Sequence, residues 1–338
     1  MIFNFLTKKE SLTYIQHRDL EIKLGESLNY FNTWDEIGQS SSKFVVFGIP
    51  EDIGIKANFG RQGASNAWDA FLNSFLNLQA NGFLQSDQMV VAGKIKTDDL
   101  MEKAVILNEK KSKDLIGLRN LVEQLDERVY AIVSIIVSMG KIPIIIGGGH
   151  NNAFPIISAI KNVLMEKKIA CLNVDPQADF RPLEGRHSGN EFIYEMATNK
   201  LDKYAILGLH ENYNSGSMLN ELDENENIKY VLFEDIFVRK RISWKASQKQ
   251  LYKFIGNTNC GLELDMDCIL NFPVSAINPT GISPIKARNF VYRAASKLKI
   301  VYFHLPEAAP NLNRDEDNRV GKLLAYLVTD FLKGKMKK

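Results

Sequence analysis

Cysteine is scarce in this 338-residue chain. The three residues, Cys171, Cys260 and Cys268, form no CxxC pair. That count excludes a disulfide framework and a zinc knuckle. Cys171 and Cys260 read as small core residues, and Cys268 as a neighbour of Asp267. Long apolar runs are also missing. None approaches the ~18 residues of a membrane span, and residues 1–10 lack a signal-peptide core. Charge of one sign is absent too: 42 Lys+Arg offset 40 Asp+Glu, a net +2. No basic excess marks a nucleic-acid surface. The basic tail 333–338 reads as a frayed, solvated end. No internal repeat or low-complexity linker occurs. The expectation is a cytoplasmic protein with no membrane and no nucleic-acid partner.

The chain is 45% hydrophobic, enough for a substantial core. Residues 1–40 are polar and irregular and read as an N-terminal extension. Residues 41–338 read as a single domain. Short apolar runs predict strands at 44–49, 89–92, 142–146, 169–174, 204–209, 230–233, 261–266 and 300–303. Apolar residues at helical spacing predict helices at 69–78, 118–137, 154–165, 243–255, 285–298 and 318–332. Residues 221–227 read as an acidic surface loop. Strands apolar on both faces, alternating with helices, predict an α/β fold. Its expected form is a three-layer α/β/α sandwich around a mostly parallel sheet. Ligands of such sheets bind beyond the carboxyl ends of the strands.

Three strand ends carry ligating residues. The run 142–146 enters Gly147-Gly148-Gly149 and stops at His150. The run 169–174 ends in Asp175-Pro176-Gln177-Ala178-Asp179. The third gives Glu263-Leu264-Asp265-Met266-Asp267. Alternate side chains of an extended segment point the same way, so Asp175, Gln177 and Asp179 can converge. An Asp pair alone is most often a turn or a helix cap, and GGGH alone is most often a tight turn. Together they gather carboxylates that repel one another unless a cation neutralises them. One His and four Asp suggest a two-metal hydrolytic centre.

At these residues the chain resembles the ureohydrolases: arginase, agmatinase and formimidoylglutamase. GGGH (147–150) matches directly. DPQAD (175–179) stands where the family has DAHxD, and ELDMD (263–267) where it has SxDxD. Asn58-Phe59-Gly60-Arg61-Gln62-Gly63-Ala64 and His187-Ser188-Gly189-Asn190-Glu191-Phe192 resemble formimidoylglutamase segments. Glu307-Ala308-Ala309-Pro310 resembles the family's ExxP. The likeness covers roughly residues 44–335 and implies an arginase-like fold.

The resemblance implies two divalent ions, with Mn²⁺ expected. His150, Asp175, Asp179 and Asp265 match the ligands of the deeper ion. Asp175, Asp265 and Asp267 match ligands of the second, with Asp175 and Asp265 bridging. The fourth ligand of the second ion is a His in the family and Gln177 here. A neutral amide oxygen is a weaker donor than imidazole, so that site is expected to be weak or empty. Asp179 is implied as the proton carrier and Glu307 as the partner of a cationic amidine. Arg181, Ser188 and Asn190 are implied to face a substrate carboxylate, with Arg61 a second clamp. Arg181 suits a dicarboxylate better than agmatine. Phe192 replaces the arginase shuttle His, which agrees with the formimidoylglutamase pattern. His187 reads as a solvated loop residue, and His304 sits near Glu307.

The implied function is metal-dependent hydrolysis of a linear amidine C–N bond, most like formimidoyl-glutamate to glutamate and formamide. The alternatives are another guanidino compound as substrate, or a non-catalytic homologue whose second metal site is degraded at Gln177. The expected partner is a small amidino or guanidino molecule, and the family's habit implies a homo-oligomer.

Overall fold

β-branched and aromatic residues dominate the apolar runs, which favours extended backbone over helix. The structure, a computed structural model, describes residues 2–165, 168–312 and 318–336. Its strands are β1 (Phe3–Phe5), β2 (Phe44–Gly48), β3 (Met89–Ile95), β4 (Ile142–Ile146), β5 (Ile169–Val174), β6 (Lys203–Leu209), β7 (Ile228–Leu232), β8 (Asn259–Leu264) and β9 (Lys299–Leu305). They form one sheet in the order β1-β3-β2-β4-β9-β8-β5-β6-β7. Only β1 is antiparallel, pairing Phe3 with Ile95. All the other pairs are parallel.

Both faces of the sheet are covered, as a parallel sheet requires. Along β2, Phe44 and Val46 join one buried cluster and Val45 and Phe47 join another. The helices Ala67–Phe75, Pro284–Lys297 and Arg319–Met336 pack together, as do Ser112–Ser138 and Ala153–Leu164. The α/β/α expectation therefore holds. All three cysteines are free and buried. Among the described residues no helix is long and apolar enough to cross a membrane.

Residues 1–40 were read as an N-terminal extension, and β1 within them forms the edge strand of the sheet. Three expectations need correction. Residues 221–227 do not form a loop alone: the helix Gly216–Glu224, capped by the Ser215 hydroxyl, runs into them. A helix, Glu191–Ala197, stands between β5 and β6, where none was predicted. It has only seven residues, too few to show a period. The tail is not frayed throughout, because the last helix extends to Met336; Lys337 and Lys338 lie outside the described residues.

β4, β9, β8 and β5 are consecutive neighbours in the sheet. His150, Glu307, Asp265 and Asp175 lie within four residues of the ends of these strands. The pairing thus brings motifs from residues 147–307 to one edge of the sheet.

Candidate metal centre and adjoining cleft

The turn after β4 explains its glycines. Gly147 and Gly148 have φ of +82° and +74°, the left-handed region that glycine enters without steric cost. A Cβ on Gly148 would also meet the Glu51 carboxylate at 2.9 Å. Glu51 is buried. It accepts hydrogen bonds from the Gly149 N–H at 2.8 Å, the Ile53 N–H at 2.7 Å and Asn152 Nδ2 at 2.6 Å. These bonds pin the turn that delivers His150.

His150 Nδ1 faces a ring of carboxylate oxygens. Asp179 Oδ2 lies at 2.9 Å, Asp265 Oδ2 at 3.0 Å, Asp175 Oδ2 at 3.3 Å and Glu191 Oε1 at 3.5 Å. Neither ring nitrogen has a hydrogen-bond partner of good geometry. Ligand atoms of His150, Asp175, Asp179 and Asp265 lie within 4.8 Å of one another, and all four residues are buried. One imidazole proton cannot satisfy several converging acceptors. Buried carboxylates this close are costly without a cation. The donor set therefore fits a divalent metal: mostly oxygen, one nitrogen, dry and closely gathered.

The electrostatics agree. Burial raises the Asp175 carboxyl well above its usual range, and the charges of Asp265 and Asp179 add to it. Asp267 and Glu307 are raised first by burial and then by Asp265. Burial opposes the charged form of His150, but Glu191 and the three ligating aspartates override it and raise the imidazole. Such carboxyls hold protons that a metal displaces on binding.

Asp267 and Gln177 lie beside this cluster. The Asp267 N–H donates to Asp265 Oδ1 at 2.6 Å. Its carboxylate has only long contacts, to Ser275 Oγ at 3.5 Å and the Ala276 N–H at 3.4 Å. The Gln177 N–H donates to Asp175 Oδ1 at 2.7 Å. Asp179 and Glu307 have φ of +48° and +67°, an unusual conformation for residues with a Cβ and one that gathers at functional sites.

A cleft of about 220 Å³ opens onto the cluster. Gln177, Asp179, Arg181, Ser188, Asp265, Asp267 and Glu307 line it. Glu307 Oε1 accepts the His150 N–H at 2.8 Å, while its Oε2 is buried without a partner. Arg181 is half exposed, its Nε 3.9 Å from Glu184 Oε1. Ser188 is tied by its backbone to Gly54 and Asn58.

Two candidates lie elsewhere than expected. Asn190 does not line the cleft. Its Oδ1 accepts from Arg186 Nη1 and the His187 N–H, and its Nδ2 donates to the Pro182 and Gly185 carbonyls. All of its capacity shapes the loop before the helix Glu191–Ala197. Arg61 is not set as a carboxylate clamp. Its Nε and Nη2 donate to the Ser275 and Val274 carbonyls. It holds the segment that presents Ser275 and Ala276 to Asp267.

His187 is not solvated. It is fully buried, its Nε2 3.1 Å from Glu184 Oε1, and burial lowers its pKa to about 4. His304 faces away from the cleft: Nδ1 bonds Glu263 Oε2 at 2.7 Å and Nε2 lies 3.3 Å from the Gly147 carbonyl. Phe192 stacks on Tyr204 at 4.1 Å and meets His150 edge-on at 5.3 Å.

Sequence reasoning missed three acids. Glu191 reaches Nδ1 of His150. Glu263 lies 3.5 Å from its Nε2 and accepts from Tyr302 Oη at 2.7 Å. Burial opposes the Glu263 charge, but His304 and His150 lower its pKa to about 2. Glu51 builds the turn. A signal existed for Glu263, since a Glu at alternate spacing before two Asp is unusual inside an apolar strand. Tyr213, Asn214 and Met218, which also line the cleft, follow β6 and carried no motif.

Comparison with known proteins agrees with this arrangement. The arginase-family model matches residues 42–332. A formimidoylglutamase of Streptococcus pyogenes (serotype M12) is 26% identical over 223 residues, which cover 63% of this chain and 66% of that protein, just under two thirds of its length. A formiminoglutamase structure of Trypanosoma cruzi with Mn²⁺ superposes with a TM-score of 0.73 at 18% identity, covering 94% of this chain and 100% of that one. The formimidoylglutamase of Bacillus subtilis gives 0.74 at 16% identity, covering 94% and 93%. With the family model spanning almost the full length, the chain belongs to the arginase family.

Proposed function

We propose that the protein is a metal-dependent hydrolase that cleaves formimidoyl-glutamate to glutamate and formamide. The observation that carries this reading is the ring of oxygens around His150 Nδ1, set beside a cleft where Glu307 Oε2 has no partner. Relatives that match in sequence are formimidoylglutamases, and the Trypanosoma cruzi structure holds Mn²⁺. His150, Asp175, Asp179 and Asp265 would hold the deeper ion. Asp175, Gln177, Asp265 and Asp267 would hold the second. Two divalent ions supply an activated water near neutral pH.

The remaining chemistry belongs to the side chains. Glu307 Oε2 accepts a hydrogen bond from the planar amidinium, a charge-assisted contact that fixes its carbon above the centre. Asp179 takes a proton from the nucleophilic water and returns it to the leaving amine. Arg181, half exposed at the cleft and only loosely paired with Glu184, pairs with a carboxylate of the substrate. Ser188 lines the same wall. Phe192 excludes water behind His150 and carries no proton.

The test is a panel of formimidoyl-glutamate, arginine, agmatine and guanidinobutyrate with wild type and Arg181→Ala. Losing the carboxylate partner should cost about 1.5–3 kcal/mol, or roughly ten- to a hundred-fold in kcat/KM, on formimidoyl-glutamate, and far less on agmatine, which has no carboxylate. Faster wild-type turnover of agmatine, or equal losses on both substrates, would refute the carboxylate role. We place the enzyme in the cytoplasm and expect a homo-oligomer, which sedimentation would test.

A further inference from the structure

We infer that Glu191 is a fifth ligand of the deeper metal position, giving this chain one carboxylate more there than the family motif supplies. The inference rests on the metal centre proposed above.

Glu191 is 0% exposed and opens the helix Glu191–Ala197. Its two oxygens have different fates. Oε2 accepts the Asn190 N–H at 3.1 Å, while Oε1 is buried with no hydrogen-bond donor. Oε1 points to His150 Nδ1 at 3.5 Å, where the three ligating aspartates also converge. The cations it faces are already shared: His150 Nδ1 faces four carboxylates, and the Arg186 guanidinium donates to Asp126, Asn190 and the Asn151 carbonyl. A buried carboxylate oxygen without a donor of its own is costly unless something binds it.

The spacing from the imidazole suits a shared ion, with Glu191 standing outside the four residues whose ligand atoms lie within 4.8 Å of one another. Two donors roughly 2.1 Å from one metal and at right angles lie about 3 Å apart. The separations from Nδ1, 2.9, 3.0, 3.3 and 3.5 Å, are all near that value. The Asn190 anchor explains how Glu191 is aimed. The Asn190 side chain is locked into its loop by four hydrogen bonds, and its N–H fixes Oε2, so Oε1 turns toward the imidazole. Adding an oxygen donor makes the position harder and favours Mn²⁺ or Mg²⁺ over Zn²⁺.

The experiment measures Mn²⁺ binding by calorimetry, and thermal unfolding in chelator and in Mn²⁺, for wild type, Glu191→Gln and Glu191→Asp. Glu191→Gln should weaken the tighter Mn²⁺ site about ten- to a hundred-fold. In chelator the same variant should melt close to wild type, and saturating Mn²⁺ should raise wild type above it. Glu191→Asp keeps the charge but withdraws the oxygen, and should lose affinity as the Gln variant does. Wild-type affinity in Glu191→Asp would overturn the ligand role and leave a mere charge effect. Unchanged affinity in Glu191→Gln would overturn it also. Should Glu191→Gln fail to fold, Glu191→Asp decides alone. A wild type that binds no Mn²⁺ overturns this inference together with the proposed centre. A wild type that binds Mn²⁺ but hydrolyses no amidine sinks the proposed reaction and leaves the Glu191 comparison decisive.

Discussion

The His150 N–H donates to Glu307 Oε1 at 2.8 Å, so the end of β4 and the end of β9 are clamped across one strand interface. One oxygen of Glu307 is fixed by the backbone of a candidate metal ligand. The other is buried without a hydrogen-bond partner, in a residue that lines the cleft. The residue that would bind substrate is thereby held in register with the residues that would bind metal.

This clamp separates two variants of Glu307. Glu307→Gln keeps an oxygen for the His150 N–H but loses the charge. It should lower kcat/KM by about ten- to a hundred-fold, from a loss of about 1.5–3 kcal/mol, with metal content unchanged. Glu307→Ala also orphans a buried N–H, which should cost a further 1–3 kcal/mol of stability, as a rough figure. Kinetics and urea unfolding of both variants check this; equal stability of the two would contradict the clamp.

Gln177→His restores an imidazole donor where the family has one. It should raise affinity at the second metal position and raise turnover with it. Mn²⁺ titration with parallel assays reads both. If neither moves, Gln177 is not part of the centre.

Asp265→Ala should remove both ions, because Asp265 is assigned to both, whereas Asp267→Ala should remove only the second. Metal content of the purified variants distinguishes them. The geometry motivates the difference: Asp265 belongs to the tight cluster around His150, while Asp267 stands beside it with long contacts to Ser275 and Ala276. Equal losses would remove the bridging assignment.

Much of this site was readable from residue order because strand ends were readable. His150, Asp175, Asp179 and Asp265 each lie within five residues of the end of an apolar run, and parallel pairing of β4, β9, β8 and β5 did the rest. What escaped was set by tertiary bonding. Asn190 carries the right motif, but Arg186, His187, Pro182 and Gly185 claim its side chain. Arg61 sits in the right loop, but two backbone carbonyls claim its guanidinium. Glu191 was read only as a spacer in a motif. Nothing local signals that the helix it starts points its Oε1 at His150. The edge strand β1 escaped because three residues are too few to show alternation.

His187 sets an acid dependence of stability. Burial holds its folded pKa near 4, below the ordinary 6.5, with Glu184 opposing the shift and Arg119 and Arg181 assisting it. The folded state therefore favours neutral imidazole. This contribution is complete above pH 6.5 and is lost as pH falls toward 4, by at most about 3 kcal/mol. His187→Gln should show a smaller fall in melting temperature between pH 7 and pH 4.5 than wild type. Parallel curves for the two proteins would contradict it.

The most direct test is product formation. Mn²⁺-loaded protein, with metal content measured, is given formimidoyl-glutamate, and formamide and glutamate are quantified. The account predicts equal amounts of both products, with formation abolished by chelator and by Asp265→Ala. Mn²⁺ bound at both positions with no formamide released would contradict it.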